Sequence, residues 1–225
     1  MIRRTAIVLA LAGATMSTSA NAQFANRLQA LASGQSDSAP AASAGVPDEA
    51  AQEALVRTFV ASQTHSMDAQ ASFMEALGLA DQVQALRAER TALSSGAVNL
   101  SNIRKAQELS KNAQEAIDAK LAQQPELDAE SKQHYAAGLA SLLASAVEGR
   151  KLVGEASNFT NGLQSLNAMQ MATLGRKLAA GAYVAKESPG YLRGLYDTSR
   201  QAMSYARSKN VTIPANADSL LSSFD

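Results

Sequence analysis

The sequence predicts an all-α protein: an antiparallel bundle of four to five long helices with short connections, after a flexible N-terminal tether. Three observations carry this reading. From Asp48 onward apolar residues recur three, four or seven apart, the spacing that gathers them on one face of a helix. Aromatic residues make up only 4% of the 225-residue chain, Trp is absent and alanine abounds, so the Val, Ile and aromatic enrichment that strands favour is missing. The helical stretches are also separated by connections of roughly two to eight residues, short enough to fold neighbours back antiparallel. No internal repeat at the ~34- or ~40-residue period of a helical solenoid is present.

The N-terminus is read as a cleavable signal peptide over residues 1–22. Arg3 and Arg4 supply the positive start, Ala6 to Ala14 a short apolar run, and Ala20-Asn21-Ala22 the small residues that place cleavage before Gln23. A spanning helix needs about 20 apolar residues, and this run is broken at Gly13, Thr15, Ser17, Thr18 and Ser19. No cysteine follows the small residues, so lipid attachment at a new N-terminal cysteine has no acceptor. Residues 23–47 then form the tether. Phe24, Leu28 and Leu31 allow a brief helix, and Ser33 to Pro47 is small, polar and broken by two prolines.

The helical domain is expected over residues 48–210. Asp48 caps a first helix to Leu79 carrying Val56, Phe59, Val60, Met67, Phe73, Met74 and Leu77. Gly78 bends or interrupts it before a continuation through Val83, Leu86 and Leu93, which Ser94-Ser95-Gly96 stops. Ser101 is the expected cap of a second long helix carrying Ile103, Ala106, Leu109, Ala113, Ile117 and Leu121, ended by Pro125. Its other face (Arg104, Gln107, Glu108, Lys111, Asn112, Glu115) reads as solvated. Asp128 caps a third helix over Ala129 to Ser157 that turns Tyr135, Leu139, Leu142, Leu143, Val147, Leu152 and Val153 inward, with a break at Asn161-Gly162. A fourth covers Leu163 to Lys186 with Leu166, Met169, Leu174, Leu178 and Val184. Ser188-Pro189 has the form of a cap followed by proline at the first helical position, so a fifth helix starts there and ends about Lys209-Asn210. Residues 211–225 form a tail with one turn near Leu220.

Composition narrows the function. Without cysteine there is neither disulfide nor thiolate metal site, and stability rests on packing. The chain has 20 basic and 20 acidic residues; loss of Arg3 and Arg4 leaves 18 against 20, a net charge of −2. Such a balance provides no field to hold nucleic acid by counterion release, so nucleic acid is not an expected partner.

Catalytic constellations are scarce. Only His65 and His134 exist, and Glu130-Ser-Lys-Gln-His134 misses the three-residue Glu-to-His spacing of a di-iron bundle. A thioether copper site from His65, Met67, Met74, Met169 and Met171 fits poorly, because residues two apart on a helix point about 200° apart. The Met67 and Met74 pair suits a core stripe. There is no G-x-S-x-G elbow and no glycine-rich phosphate loop. Asp128 and Glu130 are favourable charges at a helix start. No metal or cofactor is expected.

What remains is a stripe of small residues. Gly138, Ser141, Ser145 and Gly149 recur along the third helix, and Ala168, Ala172, Gly175 and Ala179 along the fourth. Tight packing is the favoured explanation. The sharper one is an apolar slot lined by Gly138, Leu142, Ser145, Gly149, Ala172, Gly175, Leu178 and Tyr183, suited to a lipid-like ligand. Tyr183, Tyr191, Tyr196 and Tyr205 crowd the last part of the chain, as interface residues or, by preference, as core residues with satisfied hydroxyls. Together these features lead to the expectation of an exported, non-catalytic helical binding protein of the periplasm, its partner another envelope macromolecule, an envelope protein among them. The alternative is a soluble periplasmic carrier of an apolar small molecule. A third reading is an envelope enzyme in which a histidine meets a carboxylate and a hydroxyl.

Overall fold

In the computed structural model, residues 47–95 and 98–222 are described. The expected signal peptide, the tether as far as residue 46 and its brief helix, the stop at Gly96 and the last three residues of the tail lie outside them. The fold is all-α, with no strand among the described residues. The helices are α1 (Glu49–Ala76), α2 (Ala80–Ser95), α3 (Leu100–Leu121), α4 (Ala129–Gln164), α5 (Ala168–Leu174), α6 (Ala179–Ser208) and α7 (Ala217–Leu221).

Local chemistry sets most boundaries. Asp48 Oδ1 accepts from the Ala51 N–H at 2.8 Å, and Asp128 Oδ1 from the Ser131 N–H at 2.8 Å. Each satisfies one of the free donors of a helix start. Gly78 has φ +72°, in the left-handed region. There the Leu79 N–H bonds the Met74 carbonyl (2.8 Å) and the Gly78 N–H the Glu75 carbonyl (3.2 Å), the paired bonds of a glycine-ended helix. Asn210, with φ 53°, ends α6 in the same way, through Val211 N–H to the Ala206 carbonyl at 2.9 Å.

Five sequence expectations are corrected. Asn99, not Ser101, caps α3, its Oδ1 accepting from the Asn102 N–H at 3.0 Å. The helix ends at Leu121 rather than at Pro125. The Asn161-Gly162 turn signal is overridden: α4 runs on to Gln164, because Ala156, Phe159 and Gly162 are all buried and hold that last stretch against the core. The expected fourth helix is interrupted. Asn167 and Gln170 form a reciprocal capping box that starts the short α5, and α6 begins only at Ala179. Finally, Ser188-Pro189 lies inside α6. Proline there removes one ladder bond, at a cost of about 3 kcal/mol or more. Helix continues through it because Val184, Ala185, Ser188 and Leu195 are all buried, and Ser188 Oγ donates to the Val184 carbonyl at 2.6 Å.

Helices α1 and α4 pack together most extensively; α6 lies against both, and α2 and α3 pack on α1. Two apolar clusters result. One joins Met67, Phe73 and Met74 of α1, Leu86 and Leu93 of α2, Ile117 of α3, Tyr135, Leu139 and Leu142 of α4, and Met203 of α6. The other joins Leu55 and Phe59, Ile103, Leu152 and Phe159, and Val184. Tyr135 sits between Phe73 (ring centroids 4.7 Å) and Tyr205 (5.3 Å), and its hydroxyl donates to the Ala202 carbonyl at 3.2 Å.

One carboxyl is poorly placed. Glu155 is half-buried, its Oε2 has no hydrogen-bond partner, and burial raises its pKa against the opposing help of Thr58. The folded state therefore holds this proton more tightly than the unfolded chain does. Stability is lost as pH rises from the ordinary carboxyl range, about 4.3, through the raised value. Glu155→Gln should raise the thermal midpoint at pH 7. That gain should shrink toward zero near pH 4, where the wild-type carboxyl is already neutral, as a pair of melting curves would show.

Candidate functional site

Three helical stripes converge on a cleft of about 400 Å³ that opens to solvent between α1, α3 and α6. From α1 come Gln63, Ser66, Ala69, Gln70 and Phe73; from α3, Gln107, Ser110, Lys111 and Gln114; from α6, Glu187, Gly190, Tyr191, Gly194, Leu195 and Thr198. Leu142 of α4 adds to the apolar lining. Within each helix the positions are three or four apart, so each presents one continuous face. The stretch of α3 from 107 to 114 is about 10 Å long and that of α6 from 187 to 198 about 16 Å, at 1.5 Å per residue.

The walls are braced by polar contacts. Gln70 Nε2 donates to the Ser110 carbonyl (2.9 Å) while its Oε1 accepts from Ser110 Oγ (2.9 Å), locking α1 to α3. Gln114 Nε2 donates to Asp118 Oδ1 at 2.9 Å. Tyr183 donates to Gln107 Oε1 at 2.7 Å, tying α6 to α3, with the Arg104 guanidinium over its ring. Beside Tyr191, Ser62 and Ser145 are wholly buried. Ser62 Oγ donates to the Ser145 carbonyl (2.9 Å), Ser145 Oγ to the Ser62 carbonyl (2.8 Å), and the Tyr191 hydroxyl lies 2.8 Å from Ser62 Oγ. Burial pushes the Tyr191 phenol upward, against the Ser145 and Ser62 hydrogen bonds. This cluster is neutral and self-satisfied, which suits bracing rather than proton transfer.

Gln63 is the exception. It is 1% exposed and lines the cleft, yet its Nε2 has no hydrogen-bond partner. An unmet buried donor costs about 1–3 kcal/mol. Opposite stand two glycines inside a helix, each less favourable than alanine there by about 0.8–1.0 kcal/mol. A Cβ on Gly190 or Gly194 would meet nothing within 4 Å. Neither glycine is required by close packing, and both leave the cleft wider.

The slot drawn from the small-residue stripe is not assembled. Gly138 faces α1, where a Cβ would lie 2.6 Å from the Phe73 ring. At Gly149 a Cβ would lie 2.9 Å from Leu192. Ser145 is engaged with Ser62, and Ala172 is exposed on α5. Gly175 lies just beyond α5, Leu178 is buried in the second cluster, and Tyr183 bonds Gln107. Of the eight residues only Leu142 lines the cleft. The residues missed are the glutamines of α1 and α3 and the glycines of α6. Their signal was a polar stripe at helical spacing, Gln63-Ser66-Gln70 and Gln107-Ser110-Gln114, which on a single helix reads as solvated.

His134 lies apart from the cleft, 3.5 Å from Glu75 and 3.9 Å from Glu130. Among the described residues, no cluster of three or more His, Asp or Glu is placed to hold a metal ion, and no helix is long and apolar enough to cross a membrane. No family model, curated protein or solved structure matches the chain.

Proposed function

We propose that this chain is an exported, non-catalytic binding protein of the cell envelope, an antiparallel bundle of four to five long helices that engages another macromolecule through the α1/α3/α6 cleft. Residues 1–22 act as the signal for export to the periplasm. The observation that carries the binding role is the solvent-open cleft of about 400 Å³ between α1, α3 and α6, which α6 keeps wide with Gly190 and Gly194. A groove open to solvent suits a segment of a larger partner, whereas a carrier would enclose most of its ligand. The carrier alternative has weaker support, because Phe73 and Leu192 already fill the space beside Gly138 and Gly149.

Gly194→Leu tests the role. The side chain enters open space and restores helix propensity, so stability should hold or rise by up to about 1 kcal/mol. A partner retained from envelope extract by the immobilised wild-type protein should be lost by the variant. Equal retention by both would remove the cleft from the binding role. Export is checked separately: the periplasmic protein should begin at Gln23, and a chain keeping Met1 in the cytosol would contradict that part.

A further inference from the structure

We infer that α5 is a site of reversible methionine oxidation, where a hydroperoxide adds one oxygen to the Met169 thioether and, more slowly, to that of Met171. The inference is independent of the cleft.

Three observations lead there. First, the chain has no cysteine and no tryptophan, so methionine thioethers are the only sulfur it offers to a two-electron oxidant. Second, exposure divides them. Met67, Met74 and Met203 are 0%, 1% and 3% exposed within the first apolar cluster, whereas Met169 is 80% exposed and Met171 45%. Met171 folds back toward Gly175, its Sδ 3.8 Å from the position a Cβ there would take, which shields one side of the sulfur. Third, the exposed thioethers sit on an element that the core does not need. No residue of α5 is buried; Leu166 ahead of it and Leu174 at its end rest partly buried against the second cluster. A sulfoxide on α5 stays in water, whereas one at Met67 would push a polar oxygen into packed apolar side chains.

The sulfur lone pair attacks one peroxide oxygen, the S–O bond forms and the O–O bond breaks. The proton of the transferred oxygen ends on the leaving one, which departs as water. Sulfur is oxidised by two electrons and the peroxide is reduced by two. Reversal consumes two thiols and releases a disulfide and water. This cysteine-free chain holds no thiol, so a separate thiol-dependent sulfoxide reductase must supply them.

The test exposes the purified, folded protein to hydrogen peroxide and maps its peptides by mass spectrometry. Met169 should gain one oxygen at least about tenfold faster than Met67, Met74 or Met203, with Met171 between, and unfolding in urea should erase the difference. Protein oxidised only on α5 should keep the thermal midpoint of the untreated protein. The double variant Met169→Leu, Met171→Leu should lose the fast uptake and keep that midpoint. Methionine sulfoxide reductases supplied with dithiothreitol should return Met169 of the folded protein to the thioether. Equal rates at Met169 and the core methionines in the absence of urea would overturn the site. A midpoint lowered by oxidation of α5 alone would overturn its separation from the core, and a sulfoxide that the reductases leave in place would overturn reversibility.

Discussion

Phe73→Ala is expected to lower the free energy of unfolding by about 3–5 kcal/mol, the range for truncating a buried Phe. Phe73 is 2% exposed, packs with its ring tilted 44° against Tyr135 at 4.7 Å between centroids, and covers the face of Gly138. It holds the α1/α4 contact on which the other helices are arranged. Alanine would lose the aromatic pair and leave a void that two long helices cannot close without shifting. With total stabilities of about 5–15 kcal/mol for domains of ordinary size, such a variant is close to unfolding, which chemical denaturation would reveal as a much lower midpoint.

Gly138→Leu acts on the same contact from the other side and should cost about 3 kcal/mol, the upper end for overpacking. Even a Cβ would stand 2.6 Å from the Phe73 ring and 3.1 Å from the Ala69 carbonyl oxygen, so backbone as well as side chain must give way. The two changes are linked. In the double variant the new leucine enters the space vacated by the ring, and the combined loss should be smaller than the sum of the single losses by about 0.5–3 kcal/mol. Strict additivity in a double-mutant cycle would mean that Gly138 and Phe73 do not share one packing site.

The parts of this fold that were legible in sequence are those decided within one helical turn. Asp48 and Asp128 announce caps, and Gly78 the break between α1 and α2, because each acts on backbone groups three to five residues away. The misread parts were decided by distant residues. Pro189 carries a local stop signal that the buried stretch around Val184, Ser188 and Leu195 outweighs. Asn161-Gly162 carries a turn signal that Phe159 and its neighbours outweigh. The cleft was the least legible feature. Gln107 and Lys111 sit on a polar face of α3, and nothing in that helix tells that Gln63 and Gly194 stand across from it. Glycine spacing in the third expected helix pointed to real close approaches, toward α1 at Gly138 and toward Leu192 of α6 at Gly149, and not to a shared slot. Of the four tyrosines of the C-terminal part, Tyr205 is a buried core residue whose hydroxyl bonds the Pro125 carbonyl, as expected, whereas Tyr191 is only partly buried and lines the cleft, its hydroxyl against Ser62.

Gln63 buries its amide beside the cleft with Nε2 unserved by the fold, and urea unfolding of the Gln63→Leu variant beside the wild type measures this directly. Leucine has no polar group to strand, so the variant should be more stable by about 1–3 kcal/mol and unfold at a higher urea concentration. A lower midpoint would show that the amide already serves the fold.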